Sequence, residues 1–247
     1  MKIKRKIAII LIVIFVALVV WAVFSLDKKE VVENELIIVD LETNQIIESP
    51  LEISRGSVLL NVPFILQAPF ANWDNPVFQD ACEEAAILMV KYWLLGKDIT
   101  KQEAYDEIIV LADFEEKNYK GFYDHSAKDT AEIMREYIGY NDIFVKDNID
   151  IDDIKKELDK GNLVVVPVNG QAINNPNYTA PGPERHMIVI IGYDEGKFIT
   201  NDSGTRKGEN YMYSEDILFW SIRDYPSGHK EPIVGIKKSM IVIESNL

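Results

Sequence analysis

Helical periodicity fills the first half of residues 58–247 and strand patterns the second, an order that specifies an α+β architecture rather than an alternating α/β one. Two further observations agree. The 247-residue chain is 47% hydrophobic, enough for a core, and carries a single Cys, which excludes both a disordered acidic polymer and a disulfide-stapled miniprotein. Residues 58–247 also run without internal repeat or low-complexity interruption, as one domain does.

Ahead of that domain, residues 1–6 are a basic N-terminus and residues 7–26 an apolar run of twenty broken only by Ser25. About 20 apolar residues span the roughly 30 Å hydrocarbon layer as a helix, and the flanking Lys2, Lys4, Arg5 and Lys6 keep that end cytoplasmic. The expectation is a single-pass anchor with the domain outside the cytoplasm. The rival is a secretory signal cleaved near Val20-Trp21-Ala22; both export the domain. Residues 27–57 read as a stalk, with a short hairpin across Thr43-Asn44 as the other option. From residue 27 onward there are 22 basic and 40 acidic side chains, with no Lys/Arg cluster to displace counterions. Nucleic acid is therefore excluded as a partner.

Within the domain, Asp80-Ala81-Cys82-Glu83 predicts the opening of a helix whose stripe is Cys82, Ala85, Ala86, Met89 and Trp93. Thr100 with Glu103 opens a second helix towards Phe114, and Ser126 with Asp129 a third through Tyr137. A fourth runs from Ile151 to Lys160 and stops at Gly161. Its acidic approach, Asp147, Asp150, Asp152 and Asp153, lacks the Gly and Glu of a calcium loop and suits a helix first turn. Strands follow at 163–168, 186–193, 197–201, 210–213 and 239–244, interrupted by a helical turn at 214–221.

Three features could carry chemistry. With Asp80 as N-cap, Cys82 stands at the second helical position, where free backbone N–H groups and the helix dipole stabilise a thiolate. Taken alone, however, it reads more readily as a small residue of the buried stripe. Of the three His, His125 and His229 lie in polar, turn-rich stretches, whereas His186 opens the apolar run Met187-Ile188-Val189-Ile190-Ile191 at the mouth of a buried strand. If Asp194-Glu195-Gly196 forms a three-residue hairpin loop, Asp202 falls opposite Ile188, on the face of His186 and diagonal to it. A two-residue loop reverses that parity.

Cys82 at a helix start, a distant His186 in His-Met-Ile-Val-Ile-Ile-Gly-Tyr-Asp, and Asn201-Asp202-Ser203-Gly204 together resemble the papain-like cysteine peptidases. The sequence is more similar still to the bacterial double-glycine leader peptidases and their stand-alone relatives, whose opening motif resembles Val62-Pro63-Phe64-Ile65-Leu66-Gln67. The resemblance covers about 58–245. It implies a papain-like fold, with the Cys helix packed on a mostly antiparallel sheet, and cleavage of a peptide or protein substrate without a cofactor. It implies that Cys82 attacks the carbonyl, His186 exchanges the proton, Asp202 fixes the imidazole tautomer and Gln67 donates to the oxyanion beside the Cys82 N–H.

Two departures stand out. Glu83 and Glu84 replace the Gly that usually follows the nucleophile, and their charge opposes a thiolate unless it points outward or caps the helix. Gln67 also stands further from Cys82 than is usual, leaving Gln79 as a rival donor. Trp73, with Phe70 and Phe78, either lines a substrate groove or packs around the helix entrance. Asn174–Thr179 is a loop placed to lie over the site. Without a transporter or ATPase segment, export-coupled leader processing does not carry over. The same residues also suit an acyltransferase or amidase on cell-envelope substrates. A non-catalytic peptide-binding module, its thiol kept protonated by Glu83 and Glu84, is the reading from another class.

Overall fold

The computed structural model describes residues 56–119 and 121–245, together with the backbone of two short strands before them. The chain divides into two units, residues 1–53 and 54–247. In the first, β1 (Ile38–Val39) pairs antiparallel with β2 (Ile46–Ile47), Ile38 opposite Ile47. The expected anchor, residues 7–26, lies outside the described residues, as does most of the expected stalk. Among the described residues no helix is long and apolar enough to cross a membrane.

The second unit begins with β3 (Ser57–Leu59), which straddles the expected boundary at residue 58. The approach to the cysteine differs from expectation. Asn75 caps a short helix α1 (Pro76–Asp80) by accepting from Val77 N at 3.0 Å, with Pro76 at its first position. Asp80 therefore ends one helix instead of capping the next. The helix α2 (Cys82–Leu94) starts after Ala81 with no side-chain cap, and Cys82 is its first residue, not its second.

The other helices follow their sequence signals. Thr100 and Glu103 make both bonds of a capping box at the head of α3 (Lys101–Asn118), Ser126 caps α4 (Ala127–Ile138), and Asp150 with Asp153 boxes α5 (Ile151–Asp159). Between the last two lies β4 (Ile143–Asp147), a strand that the sequence pattern did not reveal. The remaining elements are β5 (Leu163–Val168), α6 (Gly170–Ile173), β6 (His186–Asp194), β7 (Lys197–Asn201), β8 (Tyr211–Ser214), α7 (Glu215–Ser221) and β9 (Ser239–Ile243).

The strands form one antiparallel sheet in the order β4-β9-β5-β6-β7-β8, with β3 pairing to β6. Val165, Val189 and Ile241 pack with the α2–α4 side, while their neighbours Val164, Ile188 and Val242 pack with α5 and α7. Burial on both faces is why β5 and β6 read as nearly continuous apolar runs rather than alternating ones.

The β6–β7 hairpin departs from the predicted loop, yet arrives at the predicted register. Its turn is the two-residue Glu195-Gly196, both at positive φ (45° and 76°), and Asp194 pairs with Lys197. A two-residue turn would put Asp202 on the wrong parity. A β-bulge at Ile191 then adds one residue, so that Ile190 faces Thr200 and Val189 faces Asn201, the pairing a three-residue loop would have given. Beside the bulge, Leu60 N donates to Ile191 O at 2.7 Å. A Cβ on Gly192 would lie 2.1 Å from Val58 O, so β3 can approach only a glycine there.

Candidate active site

Asp202 leaves the end of β7 buried, and its carboxylate is met by five donors. His186 Nε2 lies 2.8 Å from Oδ1, which also accepts from Gly204 N at 3.0 Å. Oδ2 accepts from Tyr178 Oη and Tyr213 Oη, each at 2.6 Å, and from Asn175 Nδ2 at 3.2 Å. Burial alone would push this carboxyl up, but His186 and the two phenols outweigh it and hold it down at about 2. With Nε2 committed to Asp202, Nδ1 is the imidazole nitrogen left for other chemistry.

Tyr178 and Asn175 come from the loop that was expected to lie over the site; they lie against the carboxylate instead. The Tyr178 ring also packs edge-on to His186, centroids 5.7 Å apart. Nothing local in the sequence marks Tyr213, which reaches Asp202 only through the β7–β8 pairing.

Cys82 and His186 line one cavity of about 380 Å³, together with Gln67, Gln79, Asp124 and Arg185. Gln67 is buried and its Nε2 donates to Phe78 O and Gln79 O, both at 3.2 Å, while its backbone N donates to Ser203 O. Gln79 is exposed and its Nε2 is bound to Trp73 O at 2.8 Å. Trp73 lies in a second cavity, of about 420 Å³, which Cys82 does not reach.

Glu83 and Glu84 do not point outward, and neither caps the helix: each is 1% exposed. Glu83 Oε2 accepts from the Cys82 thiol at 2.9 Å. Its Oε1 accepts from Tyr225 Oη at 2.8 Å and from His125 N at 3.2 Å. Burial and the Glu83 charge together push the Cys82 thiol well above its ordinary value. At rest the sulfur is therefore a thiol, and the helix dipole does not prevail over the acids around it.

Deeper still, Glu84 is pushed well up by burial and by neighbouring Glu115, and Glu115 is itself raised by burial against the pull of His125. His125 is buried, not solvated as its polar surroundings in the sequence suggest. Burial would lower it, but Glu115, with Oε2 3.7 Å from Nε2, raises it. At the cavity wall, burial and Glu83 lift Asp124 to about 7 although Arg185 lies 3.2 Å away. Among the described residues no group of His, Cys, Asp and Glu is placed to hold a metal ion.

Residues 59–225 match the Peptidase_C39-like family. Among solved structures, one described as a C39-like peptidase from Bacillus anthracis shares 16% identity at a TM-score of 0.44, over 77% of this chain and 99% of that one. No curated protein matches. The assignment rests on the family match, which spans more than half of the sequence, and on that ground the chain belongs to the Peptidase_C39-like family.

Proposed function

We propose that the chain is a cysteine peptidase that cleaves through an acyl-enzyme on Cys82, held at the outer face of a membrane by residues 7–26. The observation that carries this reading is His186, held by the buried Asp202 carboxylate and lining the same cavity as the one thiol of the chain. In the resting state the Cys82 proton is held by burial and by Glu83. As sulfur attacks the scissile carbonyl, that proton passes to His186 Nδ1, while the Nε2 proton stays on the ring, donated to the Asp202 carboxylate, and keeps the imidazole in position. The developing oxyanion takes the Cys82 N–H and the Gln67 amide, which must exchange its bonds to Phe78 O and Gln79 O for the new acceptor. His186 then protonates the departing amine, and water hydrolyses the thioester by the reverse sequence.

One observation favours a second reading. The thiol is bonded to Glu83 at 2.9 Å, an arrangement that would suit a peptide-binding module with an inert sulfur. The two separate on digestion of a peptide library by the full chain in detergent, with Cys82→Ala and His186→Ala alongside. A peptidase gives products that both variants abolish, and alkylation by iodoacetamide that slows in His186→Ala. No products, with equally slow alkylation in wild type and His186→Ala, would leave the binding module.

A further inference from the structure

We propose that the second cavity is a carboxylate-binding subsite, so that the favoured peptide carries an Asp or Glu side chain, or its own C-terminal carboxylate, near the scissile bond. This rests on the peptidase reading and names its substrate class.

Position comes first. The cavity is lined by Gly204, where a Cβ would come 3.0 Å from His186 Cε1, so a residue of its wall packs directly against the imidazole. Leu66 and Ala68 line this cavity, whereas Gln67 between them lines the one that holds Cys82. One short segment therefore divides the two. An extended peptide that crosses this segment passes from the cavity of Cys82 into the second one.

The lining then sets the chemistry. Arg206 and Lys207 are its charged members, no acid lines it, and neither cation is in an ion pair among the described residues. Such a site stands out in a protein of net charge -14. The loop that carries the cations is fixed to Asp202, because Asp202 N donates to Gly208 O and Gly208 N to Thr205 O. Ser203 also lines the cavity, 2% exposed, with a buried Oγ that has no partner among the described residues. Thr179 offers a further hydroxyl, and Trp73 offers a flat wall for the aliphatic stem of an acidic residue. A carboxylate, which only accepts, matches cations and spare donors together.

The test uses the full chain in detergent and a hexapeptide pool with one Glu at each position, beside its Gln counterpart. One arm has amidated C-termini, so that Glu is the sole acid; the other has Gln and a free C-terminus. The wild type is expected to cleave the better-placed acid peptide about tenfold faster in kcat/KM than its neutral partner, a ratio that shrinks at high salt. The ratio should vanish in Arg206→Ala/Lys207→Ala, and Arg206→Glu/Lys207→Glu should turn it towards Lys. Whichever arm shows the effect identifies the side chain or the terminus as its source. Binding of the same pools to Cys82→Ala, read by Trp fluorescence, needs no cleavage. If wild type cleaves nothing while Cys82→Ala still prefers the acid pool, the peptidase reading fails and the subsite stands. Equal binding and equal cleavage of Glu and Gln peptides, or a ratio that survives loss of both cations, would overturn the subsite.

Discussion

Asp202 and Glu84 are both buried carboxyls of one domain, and their surroundings treat them oppositely. Asp202 accepts from five donors and is held at about 2; Glu84 Oε1 has no partner among the described residues, and Glu84 is pushed well up. Burial disfavours the charge in each case, so the neighbours decide: His186 and the phenols hold Asp202 down, whereas the acids Glu115 and Glu83 push Glu84 further up. The imidazole side of the site is thus built for a fixed negative charge. The sulfur side is acidic and closely buried, and it keeps the proton on the thiol.

The largest effect expected from breaking this contrast is on Asp202. Asp202→Asn keeps the volume but favours the wrong imidazole tautomer, and should lower kcat by a factor on the order of 10²–10⁴ in the library digest. A loss of less than about tenfold would mean that the carboxylate does little for the ring.

Next comes the pH dependence of stability. Glu84, Glu115 and Asp124 hold their protons more tightly folded than unfolded, so the native state binds more protons between the ordinary carboxylate range and the raised values, and stability falls as pH rises. His125, also raised, contributes stability that is lost as pH climbs through its folded value. Asp202 runs the other way: its contribution is present above 3.8 and is lost as pH falls towards about 2. Urea unfolding at pH 5.5 should therefore show about 2 kcal/mol more stability than at pH 8.5. A flat or rising trend would show that the acids beneath Cys82 are not buried as described.

The smallest effect sharpens the contrast at the sulfur itself. Glu83→Gln keeps an acceptor for Tyr225 but removes the charge that raises the thiol, so Cys82 should titrate lower and react with iodoacetamide about tenfold faster at pH 7. Slower alkylation would assign Glu83 a part in drawing the proton off.

What the sequence made legible follows from how local each signal is. The caps at Thr100, Ser126 and Asp150 lie within three residues of the groups they bind, and all three are formed. The Asp80 signal failed because Asn75-Pro76 is a competing start only five residues upstream, and it takes the helix first. The short strand β4 was missed because its interior, Phe144 to Lys146, is only half-buried. At the site, counting along the hairpin paired His186 with Asp202 from a three-residue loop that does not form; the bulge at Ile191, which nothing in the sequence marked, restores the same register. Tyr178, Tyr213 and the inward turn of Glu83 could not be found by counting, because their partners are set by packing between elements distant in sequence.

The extra residue at Ile191 has a practical meaning for anyone altering this protein. Deleting it, or replacing Gly192 so that the neighbouring strand is driven off, would leave every reactive group in place along the chain while rotating Asp202 away from the ring it serves. Redesign of this hairpin can therefore break the His186–Asp202 contact from a position that no inventory of reactive side chains would flag.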